Sequence, residues 1–105
     1  MGRSVRLTAE AVNDLAAISD YIRADSPANA ERWLERINSK IVAVAQAPLK
    51  CEIVYPASLV GRDVRQTFLG VYAILHVVES DQLIVLTVRH AARRPLTAAE
   101  VKRLH

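Results

Sequence analysis

Apolar positions repeat with a helical period in the first half of the chain and with a strand-like alternation in the second. Val5 and Leu7 alternate with polar neighbours, so Ser4–Leu7 reads as a short first strand. Thr8 stands where a helix N-cap belongs, and Glu10 in the first turn suits the positive end of the helix dipole. Ala11, Leu15, Ile18 and Ile22 form one stripe and predict a helix over Ala9–Ala24, with Asp14, Asp20 and Arg23 off that stripe. Ser26-Pro27, a cap followed by proline at the first helical position, marks a second start. Ala30, Leu34, Ile37, Ile41 and Val44 carry that helix towards Pro48, which ends it. Only Asp25-Ser26 links the two helices, which predicts an antiparallel hairpin.

Leu49–Gly61 has little period and contains Pro56, and reads as a loop with room for one short extended piece. Three β-rich runs follow: Arg62–Leu69, Val71–Val78 and Leu83–His90. Gly70 separates the first two and Glu79-Ser80-Asp81-Gln82 the last two. Both gaps are hairpin-sized, so a three-stranded antiparallel meander is expected. Thr97-Ala98-Ala99-Glu100 is a capping box just after Pro95 and predicts a short helix, Ala98–Leu104, with Val101 and Leu104 inward. The order is β-α-α-β-β-β-α. It predicts one α+β two-layer domain over residues 1–105, with the helix hairpin on one face of a small antiparallel sheet. The other face, or a groove at its edge, is left for a partner.

Composition narrows the choice. At 105 residues the chain holds one domain, and 51% hydrophobic residues are enough for a core. Cys51 is the sole cysteine, so no internal disulfide forms and a reducing cytoplasm is the expected compartment. Arg3 and Arg6 interrupt the N-terminal apolar residues, unlike a signal peptide, and no run approaches the roughly 20 apolar residues of a membrane span. His76, His90, His105 and Cys51 lack a recognised ligand spacing, so neither a metal nor another cofactor is expected. The net charge of +3 is uneven: residues 82–105 carry five basic residues and one acid, while the preceding residues carry nine and ten. A positive field at one end of a small domain suits an acidic macromolecular partner. No recognition helix is visible, so sequence-specific DNA reading is not expected.

The run Ala11-Val12-Asn13-Asp14-Leu15-Ala16-Ala17-Ile18-Ser19-Asp20-Tyr21-Ile22 resembles the opening of ParE-type toxins. Gly61-Arg62-Asp63-Val64-Arg65, Val71-Tyr72-Ala73-Ile74-Leu75 and Leu83–His90 followed by Arg93 extend the resemblance from Val5 to Arg94. Together they are similar to the RelE/ParE superfamily of bacterial toxin–antitoxin modules. The resemblance implies a cytoplasmic toxin in a hetero-oligomer with a cognate antitoxin. For its ParE branch it implies inhibition of DNA gyrase, and for its RelE branch cleavage of messenger RNA on the ribosome. One fold hosts both, so local chemistry must choose.

Metal-free RNA cleavage needs a base for the 2′-hydroxyl, cations for the phosphorane-like transition state and an acid for the leaving oxygen. Arg62, Arg65, Arg89, Arg93 and Arg94 supply cations. RelE-like nucleases place a tyrosine near the end of the last strand or just beyond, whereas here Ala91 and Ala92 follow His90 and the tail has no tyrosine. A nuclease would have to use Arg65, Tyr72 and His90. A gyrase inhibitor needs no catalytic residue, only a complementary surface, for which Arg65, Tyr72, His90, Arg93 and Arg94 are the candidates. A non-toxic member that only binds antitoxin is the third reading. Each candidate has a structural alternative: Arg65 paired with Asp63 or Glu52, His90 capping backbone groups, Arg93 or Arg94 simply solvated. Trp33, Leu34, Ile37 and Ile41 give the second helix a wide apolar face, either core or a seat for the antitoxin.

Overall fold

Thr8 starts the first helix as its position in the sequence predicts. Its hydroxyl oxygen accepts the Ala11 N–H at 3.0 Å, and the hydroxyl donates to the Leu86 carbonyl at 2.7 Å. One side chain thus caps a helix and ties it to a strand 78 residues away. A computed structural model describes residues 3–104; His105, weighed above as a metal ligand, lies outside them.

The strand β1 (Ser4–Leu7) leads into α1 (Ala9–Asp25) and α2 (Pro27–Gln46). Ser26 alone joins the helices. Its N–H donates to the Ile22 carbonyl, ending α1, and its hydroxyl accepts the Asn29 N–H, capping α2. A 3-10 turn at Pro48–Lys50 follows, then β2 (Glu52–Tyr55) and α3 (Ala57–Val60). The chain continues through β3 (Val64–Leu69), β4 (Tyr72–Glu79), β5 (Gln82–His90) and α4 (Ala98–Lys102). Gly70 and Ser80, in the two hairpin turns, adopt positive φ of 56° and 52°. Glycine takes that conformation without steric cost.

The α+β order stands, with three departures from expectation. Leu49–Gly61 is more ordered than a loop with one short extended piece: the extended piece is a paired strand, and a helical turn follows it. The segment thus supplies a fifth strand, giving the sheet order β1-β5-β4-β3-β2. β2 is four residues long and bulged, so its pattern is too short to read, and its pairing with β3 makes it a strand. Secondly, the sheet is not wholly antiparallel, because β1 runs parallel to β5. β1 reaches only Val85, and side chains finish the edge. Thr8 takes Leu86, while Asp14 of α1 accepts the Val88 N–H at 3.0 Å and the Thr87 hydroxyl.

The third departure is that both faces of the sheet are covered. On one face, Trp33, Ile37, Ile41 and Val44 of α2 pack with Ala11 against Ile74, Leu83, Val85 and Val88. On the other, Val60 of α3 and Val101 of α4 pack against Val64, Leu75, Val77, Ile84 and Leu86. Only the end of this second face near Gly70 and His90 stays open. No helix among the described residues is long and apolar enough to cross a membrane.

Candidate functional site

β5 alternates as it leaves the core, and its last two residues diverge. His90 pairs in register with Tyr72 and Arg89 with Ala73, so the two side chains sit on opposite faces. Arg89 therefore enters the open end of the second face. A groove of about 440 Å³ lies there. Ala73, Leu75 and Val54 line it with Tyr55, Gln66 and Phe68 from the β2–β3 side, and Arg89, Arg93, Arg94 and Leu96 from the other. Phe68 remains 46% exposed.

The basic residues of the groove differ in how freely their charge is available. Arg94 makes a bidentate pair with Glu100, at 2.8 and 2.9 Å. The pairing raises the Arg94 pKa. Arg94, helped by the Thr97 backbone N–H, holds the Glu100 carboxyl down to about 2. Glu100 also completes the capping box with Thr97, so this pair starts α4 rather than facing a ligand. Arg89 donates to the Arg94 carbonyl at 2.8 Å. Its pKa is lowered, first by burial and then by the adjacent Arg93. Two guanidiniums close together, in a groove with no acidic lining residue, favour an anionic group between them.

Polar clamps shape the groove. The Tyr55 hydroxyl donates to the Leu96 carbonyl at 2.7 Å. Arg62 donates to the Leu104 carbonyl at 2.7 Å and pairs with Glu79. Five-residue α4 could not hold itself as a helix. These clamps and the buried Val101 keep it on the sheet.

The expected trio of Arg65, Tyr72 and His90 is not assembled. Tyr72 and His90 do meet, edge to face with ring centroids 5.7 Å apart. Trp33 continues the column on the other side of Tyr72 at 5.4 Å. Arg65, however, is in register with His76, four residues along β4 from Tyr72. At roughly 3.3 Å per residue the separation is about 13 Å. Its guanidinium donates to the Leu49 and Cys51 carbonyls at 3.2 and 2.7 Å, a clamp on the segment before β2. The alternative partners are engaged elsewhere: Asp63 accepts the Ala57 N–H and Glu52 accepts from Gln66.

The antitoxin candidates on α2 are also corrected in part. Trp33, Ile37 and Ile41 are buried against the sheet, and only half-buried Leu34 retains exposure. Their apolar face is core because the sheet, not solvent, lies beneath it. The sequence offers Arg89 only as one of five possible cations for a nuclease, and does not mark Phe68, Tyr55 or Gln66 as a site. Alternation along β5 was the available signal for Arg89, whereas the meeting of β2 with the C-terminal segment had none. No three His, Cys, Asp or Glu side chains stand together as a metal site among the described residues.

Comparison with known proteins adds to this geometry. A family model described as the ParE toxin of type II toxin–antitoxin system, parDE, matches residues 5–95. The fold is similar to that in a solved structure of the chromosomal ParDE TA system from P. aeruginosa, with a TM-score of 0.67 and 22% identity over 84% of this chain and 95% of that one. No curated protein matches the sequence.

Proposed function

Because the chain belongs to the ParE toxin family of type II toxin–antitoxin systems, we propose that it arrests growth by trapping DNA gyrase on cleaved DNA, catalysing no reaction itself. A cognate antitoxin neutralises it by covering the same groove. The observation that carries this reading is the distance between Arg65 and the Tyr72–His90 pair. A nuclease must bring its cations and proton-transfer groups to one phosphate. Here the one arginine of the expected trio is tied to backbone carbonyls on another part of the sheet.

What the groove does offer is a binding surface. Arg89 and Arg93 flank an apolar floor, with Phe68 and Tyr55 on the far wall. Arginine and aromatic anchors of this kind carry most of the energy in protein interfaces. The solved relative is a ParDE system, and an antitoxin segment bearing carboxylates beside apolar residues would suit these walls. Opposite charge would also speed its association at low salt.

Gyrase supercoiling and cleavage assays test the proposal. Linear, gyrase-cleaved DNA should accumulate with toxin and disappear when antitoxin is added. Messenger RNA cut in the ribosomal A site by the purified chain would replace this reading with the RelE one. Expression without growth arrest would leave a member that only binds antitoxin.

A further inference from the structure

The basic turn after β5 is held in shape by the residue at its start. His90 Nδ1 accepts the Ala92 N–H at 3.0 Å, and the His90 carbonyl accepts the Arg93 N–H at 3.1 Å. The Ala91 N–H goes to the Val71 carbonyl at 2.7 Å. Every backbone donor in Ala91–Arg93 therefore has a partner, two of them on His90. The ring itself is kept in place by its edge contact with Tyr72, and Tyr72 by Trp33 of α2. With Nδ1 acting as acceptor, a neutral ring carries its proton on Nε2 and shows a donor, not a base, to solvent.

We propose that His90 is a positioning residue: its imidazole closes the turn as an asparagine side chain closes an Asx turn, and so aims Arg93 at the groove. The contribution of that aim to toxicity rests on the function proposed above; the turn geometry does not. Without the ring acceptor the Ala92 N–H turns to water, and the backbone of Ala91–Arg93 regains freedom that opposes a fixed arginine. Arg93 is exposed, so its own contacts cannot supply the missing order. The aromatic column extends this dependence to α2, since Trp33 supports the ring that supports His90.

Nitrogen-15 relaxation on the full chain tests this with three variants. His90→Asn keeps an acceptor able to take an N–H two residues on. His90→Phe keeps the edge contact with Tyr72 but has no acceptor, and His90→Ala has neither. Backbone order parameters of Ala92 and Arg93 should stay near the rigid value of about 0.85 in the wild type and His90→Asn, and fall below about 0.6 in the other two. Growth arrest should follow the same order, with His90→Ala and His90→Phe weaker by about tenfold, the size of one lost hydrogen-bonded contact. An equally ordered turn in His90→Ala would overturn the proposal. So would a His90→Asn protein with an ordered turn and the low toxicity of His90→Ala, because the imidazole would then touch the target itself. If the wild type fails to arrest growth, the toxin reading falls while the order parameters still decide the role of His90.

Discussion

The two faces of the sheet are closed in different ways. Beneath α1 and α2, helices of 17 and 20 residues bury a continuous apolar layer. On the opposite face, four-residue α3 is held by buried Val60 and by Asp63, which accepts the Ala57 N–H, and five-residue α4 by Val101, Arg62, Tyr55 and the Arg94–Glu100 pair. Apolar layers are lost only by unfolding, whereas polar clamps open singly and locally. The groove sits on the second face, beside the turn that follows β5. Both faces carry a buried apolar cluster, and the groove proposed for recognition opens on the second.

Cutting into the first face should have the largest effect. Trp33→Ala is expected to cost about 3–5 kcal/mol, from lost burial and the cavity left behind. A domain of this kind has only about 5–15 kcal/mol of stability. Urea unfolding measures the loss. If Trp33 were instead mainly an antitoxin contact, the variant would keep its stability and lose only binding.

The first face also carries a weakness. His76 is fully buried with neither ring nitrogen hydrogen-bonded. Burial, reinforced by the neighbouring Arg65, lowers its pKa from 6.5 to about 4. The unfolded chain gains this proton below 6.5, while the folded chain resists it until about 4. Stability from the neutral ring is therefore full above 6.5 and lost as the pH falls towards 4. The loss is roughly 3 kcal/mol, from the size of the shift. Urea midpoints across that range should show it, and His76→Leu should flatten the profile.

Arg65 lies where the two ways of closing the sheet meet. Arg65→Ala should cost about 1–2 kcal/mol, because the Leu49 and Cys51 carbonyls lose a charged donor. Amide exchange should quicken first around β2. Growth arrest per folded molecule should hold; a selective loss of toxicity would return Arg65 to the target surface.

The smallest change in stability should come with the largest change in function. Arg93→Ala alters an exposed side chain and should stay within about 0.5 kcal/mol of the wild type. It should nonetheless lose most of its growth arrest. Equal toxicity would place the target surface away from the groove.

Legibility in the sequence followed distance along the chain. Thr8, Ser26 and Thr97 each cap the helix expected of them, since a cap acts within three residues of itself. The long strands and the helix hairpin followed from periodicity for the same reason. β2 did not, because four residues with a bulge carry no period and depend on β3 for their hydrogen bonds. The place of Arg65 could not be read either, because its partners are backbone carbonyls, which leave no mark in a pattern of side chains.

Local chemistry in the amino-acid order was thus enough for the α+β architecture, the uneven charge and the family resemblance. That Arg65 is clamped, that Thr8 ties the first helix to β5, and that the tryptophan faces inward were decided only when residues far apart in sequence, 14 for Arg65 and Cys51 and 78 for Thr8 and Leu86, came together. Hydrogen bonds and burial at such separations depend on where the whole chain folds, and no short window of sequence contains both partners.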